Sequence, residues 1–219
     1  MKIKNSVEPT HLFNKFLEKL QTAISRNLDL SSGLDISRLE TVLAVDSAYK
    51  EDELMVTVGI LWSIKRKEII EESFVACKPT FEYIPGLLFI REAPSLIEVV
   101  EKISDRWDLL IVDGHGILHP RRAGLAVVAG FILGKPTLGI AKRLLVGEEG
   151  GGEDMGPVYL YGQVMGYWFK NKRKFYASPG YKVRIEEIPE IINLMGGRYP
   201  EPLEIVDRIA RKKIDEVHC

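Results

Sequence analysis

Apolar residues recur every three to four positions over Leu12, Phe13, Phe16, Leu17, Leu20, Ala23 and Ile24, which predicts an amphipathic first helix. The period then shortens. Three strand-like runs follow, Val42 to Tyr49, Leu54 to Ile64 and Glu68 to Cys77, separated only by Lys50-Glu51-Asp52-Glu53 and by Lys65-Arg66. Connections that short predict antiparallel hairpins. Pro85-Gly86 and Ala93-Pro94 break the pattern, and Pro94 suits the first turn of a helix running through Ile103. A strand over Leu109 to Asp113, a helix around Ala123 to Leu133 and a strand over Thr137 to Lys142 come next. Strand, helix and strand in that order imply a crossover with parallel pairing. Gly147 to Gly156, with three consecutive glycines, predicts a mobile loop. Strands near Tyr159 to Phe169 and Lys174 to Ala177, then helices at about Ile185 to Leu194 and Pro202 to Val217, complete the chain.

The expected fold class is α/β: a mixed central sheet, three antiparallel strands then parallel strands, flanked by helices. That order, with acids on the first and fourth strands, is the pattern of a ribonuclease H-like fold. With 219 residues, 46% of them hydrophobic, the chain can bury a substantial core, and one domain over 1–219 is expected. No apolar stretch is long enough to span a membrane, and Met1-Lys2-Ile3-Lys4-Asn5 lacks the apolar segment of a secretory leader. Cys77 and Cys219 have no metal-ligand or redox spacing and read as free thiols of a reducing cytoplasm. A net charge of -1 gives no overall basic footprint. Any nucleic-acid contact must therefore use local patches, such as Arg121-Arg122, Lys142-Arg143 or the run over 170–174, each of which also reads as a solvated turn.

The candidate chemistry lies at two strand ends. Thr41-Val42-Leu43-Ala44-Val45-Asp46 and Leu109-Leu110-Ile111-Val112-Asp113 are apolar runs that each close on a carboxylate. Desolvating an unpaired carboxylate costs several kcal/mol, roughly, and the usual remedy for two of them is a hard divalent cation. A lone acid at a strand end is ordinarily a cap or half of an ion pair; two acids on two such strands point to metal chemistry. Asp113 sits where ligands gather in open α/β sheets, and Gly114 and Gly116 permit close approach by a backbone or a ligand. Lys142 closes the next parallel strand, and Glu92, in the break ahead of Pro94, could add a third carboxylate. Three acids and a lysine suit metal-assisted hydrolysis of a phosphodiester. Phe81-Glu82-Tyr83-Ile84-Pro85-Gly86 is a stiff aromatic loop that could enter a base stack, or could simply cover an edge of the core. His119-Pro120-Arg121 could open a helix with a phosphate-binding arginine, His119 serving as catalyst or as an orienting residue. No Gly-x-x-x-x-Gly-Lys loop is present, which argues against a nucleotide-cradling ATPase.

These pieces resemble the endonuclease V family. The matching segments are Val45-Asp46, the run from Tyr83 to Pro94 (Tyr-Ile-Pro-Gly-Leu-Leu-Phe-Ile-Arg-Glu-Ala-Pro), the run from Asp113 to Arg121, Gly124-Leu125-Ala126, Gly139-Ile140-Ala141-Lys142 and Ser178-Pro179-Gly180. They occur in family order from about Leu43 to Pro202. The resemblance implies Asp46, Asp113 and Glu92 as ligands of Mg²⁺, with Mn²⁺ able to substitute, and Lys142 as the catalytic lysine. It implies a strand-separating wedge at Tyr83, Ile84 and Pro85, with Gly86, Arg91, Gly116, His119 and Arg121 also on the DNA-binding face. The implied activity is a DNA repair endonuclease that recognises deoxyinosine and cuts the second phosphodiester 3′ to it, leaving 3′-hydroxyl and 5′-phosphate ends. The implied partner is deoxyinosine DNA, or else inosine RNA, met by a monomer. An inosine-specific ribonuclease and a lesion-binding module with little turnover are the alternatives. Three positions depart from the family pattern: Glu82 for a usual proline, His115 for a common glutamine, and Tyr181 where a histidine near the metal is usual. A phenol, with an ordinary pKa of about 10, is a poor metal ligand, so no metal role is expected at 181.

Overall fold

The structure, a computed structural model, describes residues 9–170 and 172–217. The leader reading at Met1 to Asn5 and the thiol reading of Cys219 lie outside the described residues; Cys77 is a half-buried free thiol. Helix α1 (Pro9–Arg26) precedes three strands, β1 (Thr41–Lys50), β2 (Leu54–Ser63) and β3 (Glu68–Cys77). Helix α2 (Leu88–Lys102), β4 (Leu109–Asp113), α3 (Leu125–Leu133) and β5 (Thr137–Ala141) follow. The rest is β6 (Glu148–Glu149), β7 (Met155–Leu160), β8 (Gln163–Lys170), β9 (Lys174–Tyr181), α4 (Ile188–Leu194) and α5 (Glu201–Glu216).

All nine strands form one sheet in the order β3-β2-β1-β4-β5-β9-β8-β7-β6. β1 pairs antiparallel with β2 and parallel with β4, and β4 pairs parallel with β5, as the ribonuclease H-like pattern requires. The period of two along each strand sorts side chains onto two cores. Leu43, Val45, Leu110 and Val112 face α1, α2 and α3; Val42, Ala44, Leu109 and Ile111 face α4 and α5. β2 is buried along its whole length because both faces are covered, which is why it reads as a continuous apolar run.

Three boundaries differ from expectation. Pro94 does not open its helix; α2 starts six residues earlier and Pro94 lies inside it. A proline there removes the bond to the carbonyl four residues back. The Thr80 hydroxyl donates to that carbonyl, Ile90 O, at 2.9 Å, so the vacancy is filled from outside the helix. Glu92 is thus buried on a helix, not in a break. The glycine-rich stretch is not simply a mobile loop, because Glu148 and Glu149 pair with Tyr159 and Val158. The run read as one strand from Tyr159 is a hairpin: β7 and β8 are joined by Tyr161-Gly162, whose φ values of 54° and 75° are those of a two-residue hairpin turn.

Candidate active site

Val45 opposite Val112 is the last parallel pair of β1 and β4, so Asp46 and Asp113 come next on the two strands, Asp113 at the end of β4 and Asp46 midway along β1, which runs on to Lys50 against β2. By alternation both belong to the α5 face, with Ala44 and Ile111. Burial pushes Asp46 well above the ordinary carboxylate range, the negative charge of Asp113 adds to it, and Glu92 adds a smaller push; Lys142 and the Ser47 N–H oppose them. Asp113 is also raised, chiefly by burial, against the pull of Lys142 Nζ, 2.5 Å from Asp113 Oδ2. Glu92 reaches the same end of the sheet from the opposite layer. Burial raises it from 4.5 to about 7, although the Tyr49 hydroxyl donates to its Oε1 at 2.7 Å.

Two residues of the α5 region complete the cluster and had no signal in the sequence. Asp207 lies 3.8 Å from Lys142 Nζ and accepts from both Nε and Nη2 of Arg211 at 3.0 Å. Burial pushes Asp207 up, but Arg211, Lys142 and a hydrogen bond to Asp46 outweigh it and keep it below the ordinary range. The Tyr199 hydroxyl meets Asp113 Oδ2 at 3.5 Å. Among the described residues no three His, Cys, Asp or Glu side chains are already gathered about one metal point. The donor chemistry nevertheless fits a hard cation: all-oxygen donors, two of them mutually repelling, with the Lys142 ammonium as the positive charge beside them.

The aromatic loop is fixed at both ends. Ile84 O accepts from Leu87 N–H at 2.9 Å across Pro85 and Gly86, and Gly86 has φ 83°, a type II turn with proline and glycine at their preferred positions. Three donors meet at Gly86 O: Gln21 Nε2 at 3.1 Å, His119 Nε2 at 3.1 Å and Arg121 Nη2 at 2.8 Å. The Arg121 N–H donates to His119 Nδ1, which leaves Nε2 to carry the proton. Burial keeps this histidine neutral, its pKa lowered to about 4. At the other end Arg91 is buried, its Nη1 on Phe81 O and its Nη2 on Asp52, both at 2.8 Å, with Tyr49 stacked beneath. Arg91, His119 and Arg121 are therefore brought to the loop from behind, and only Tyr83, 64% exposed, with Glu82 and Pro85 beside it, projects. Gln21, fully buried on α1, also donates to Ala123 O at 2.6 Å and accepts from Arg121 Nε at 2.7 Å; inside a helical apolar pattern it gave no sign of this.

Gly116 serves a backbone, not a ligand. A Cβ there would fall on the Pro179 and Ser178 carbonyl oxygens, and its N–H donates to Ser178 Oγ at 3.0 Å. His115 is half-buried, and desolvation lowers its pKa to about 4. Tyr181 pairs with Thr137, at the end of β5 opposite Lys142, and its ring meets Phe131 edge-on. No metal role is open to it there.

Comparison with known proteins places this geometry. The family model described as Endonuclease V matches residues 20–208. Endonuclease V of Saccharolobus solfataricus is 39% identical over 199 residues, covering 90% of this chain and 94% of that protein. The crystal structure of endonuclease V from Streptomyces avermitilis superposes with a TM-score of 0.85 at 22% identity, covering 92% of this chain and 93% of that one. Ciona intestinalis endonuclease V, solved with a 24mer DNA containing an inosine followed by a ribo-adenosine, matches with a TM-score of 0.84 at 19% identity, covering 95% and 100% of the two chains.

Proposed function

The chain belongs to the endonuclease V family, and on that premise we propose a DNA repair endonuclease that recognises deoxyinosine and hydrolyses the second phosphodiester 3′ to it, leaving 3′-hydroxyl and 5′-phosphate ends. It acts as a cytoplasmic monomer, the whole chain forming one domain. The observation that carries the reading is the shared face of Asp46 and Asp113 on adjacent parallel strands, with the Lys142 ammonium drawn against Asp113. No helix among the described residues is long and apolar enough to cross a membrane, consistent with a nucleic-acid substrate met in solution.

Asp46, Asp113 and Glu92 hold Mg²⁺ in this reading, with Mn²⁺ as substitute and Asp207 alongside. The cation supplies Lewis acidity toward the scissile phosphate and its attacking water. Lys142, already drawn to Asp113 and Asp207, offers its ammonium to a phosphate oxygen at the same point, where a preorganised charge lowers the cost of developing negative charge. Tyr49 keeps Glu92 aimed and favours its ionised form. Tyr83, on a turn that cannot recede, enters the base stack beside the lesion; unstacking costs a few kcal/mol, roughly, and least at a weakened pair. Arg91, His119, Arg121 and Gln21 set the height of that turn through their bonds to its carbonyls.

Inosine in RNA is the second reading, favoured by the ribo-adenosine in the Ciona complex. The test is nicking of matched duplexes and single strands, DNA and RNA, carrying inosine or adenine, with Mg²⁺. A single product band two bonds 3′ of deoxyinosine supports the proposal, and a faster cut in RNA transfers the assignment to the second reading. Tight inosine binding with no product under any divalent cation leaves a binding module.

A further inference from the structure

A cavity of about 830 Å³ opens between the turn joining β8 to β9 and the start of α5. Its walls carry seven cations, the six Arg143, Lys172, Arg173, Lys174, Arg198 and Arg211 together with Lys142, against two acids, Glu204 and Asp207. Lys142, Tyr199 and Asp207 line it too, so it shares a wall with the acid cluster. Part of the positive charge is spent internally: Lys174 pairs with Glu149 at 2.6 Å and Arg211 with Asp207. Among the described residues Arg143 and Arg173 enter no ion pair. For a chain with a net charge of -1, that concentration of cations in one concavity calls for an anionic occupant longer than a single phosphate.

The path of a bound strand follows from the layers. Tyr83 and its turn sit on the side of the sheet covered by α1, α2 and α3, whereas the cavity lies on the α5 side. The acid cluster lies over the end of the sheet between them, with Glu92 reaching it from one layer and Asp207 from the other. A strand marked at Tyr83 and cut at the acids on its 3′ side must run on into the cavity. Resting on the function proposed above, we infer that this cavity binds the single strand immediately 3′ of the cut and, after hydrolysis, retains its new 5′-phosphate.

Binding can be read without cleavage and without a lesion. The probe is a fluorescent single-stranded deoxyoctanucleotide bearing a 5′-phosphate and no inosine, titrated in EDTA by polarisation over a salt series. The wild-type protein is expected to bind it more tightly than the 5′-hydroxyl form. Arg143→Glu/Arg173→Glu is expected to weaken binding at least tenfold and to flatten the slope of log K against log salt by about 1.4, two contacts at roughly 0.7 each for a single strand. Lys102→Glu, which reverses an equal kind of charge at the far end of α2, should leave both unchanged. Arg143→Gln/Arg173→Gln shows the same direction of effect if the double reversal does not fold. Unaltered affinity and slope in a folded double variant overturn the inference, and so does an equal loss in Lys102→Glu. Cavity-dependent binding with no nicking of inosine substrates would instead remove the proposed activity and leave the cavity standing.

Discussion

Replacing Glu92 by glutamine should stabilise the metal-free protein while abolishing its activity. Glu92 is 8% exposed, and burial raises its carboxyl from 4.5 to about 7. A group raised in the folded state costs stability as pH climbs, because the unfolded chain ionises near 4.5 while the folded one resists until about 7. Below 4.5 both states hold the proton and the cost is absent. Between 4.5 and 7 it grows, and above 7 it is constant. At about 1.36 kcal/mol per pH unit the full penalty is ~3 kcal/mol. Glutamine keeps the shape and still accepts the Tyr49 hydroxyl, but it never ionises. For a chain of this length ~3 kcal/mol corresponds to an increase in Tm of roughly 6–12 °C. The assay is thermal unfolding in EDTA from pH 4 to pH 8.5, wild type against Glu92→Gln. The two curves should coincide at the acid end and diverge progressively to pH 7, the variant melting higher, while nicking by the variant is lost at every pH. Equal melting temperatures at pH 8, or a lower one for the variant, would refute the claim that this carboxylate is held at electrostatic cost for a cation.

Lys142→Ala should lower turnover by about a hundredfold or more with little change in substrate affinity, in line with the loss of one preorganised charge at a reacting oxygen; single-turnover rates and binding isotherms separate the two. Tyr83→Ala should cost less than about 0.5 kcal/mol of stability, since the ring is exposed, yet reduce discrimination of inosine from adenine at least tenfold in competition assays. Gln21→Leu removes the amide that joins Gly86 O, Ala123 O and Arg121 Nε, and should destabilise by about 1–3 kcal/mol in urea while raising KM more than it lowers kcat.

The first half of the sheet was legible because each strand there carries its own punctuation. β1, β2 and β3 are separated by charged turns of three and four residues, and the apolar runs of β1 and β4 give way to acids that no apolar core would hold. What stayed hidden depends on contacts between distant segments. Pro94 looked like a helix start because the hydroxyl that lets it sit inside α2 belongs to Thr80, in another element. The β7–β8 hairpin turns on Tyr161-Gly162 within a run of strand formers, a break too short to interrupt the pattern. Asp207, four residues before Arg211 on an exposed helix, reads as an ordinary surface ion pair; only the packing of α5 against β1 brings it to Asp46. Arg91 and Arg121 carry the charge of phosphate contacts, yet their guanidinium groups are committed to a loop carbonyl each and to Asp52, Gln21 and Glu18, partners that sequence alone cannot distinguish from solvent.

Titration of the protein with Mn²⁺, followed by the loss of the free-ion paramagnetic resonance signal, tests most directly whether Asp46 of β1 and Asp113 at the end of β4 form a cation site. The wild-type chain should take up the ion near neutral pH with release of protons, and Asp113→Asn or Asp46→Asn should weaken uptake at least tenfold without loss of folded structure. Undiminished uptake in both variants, or none by the wild type, would contradict the account.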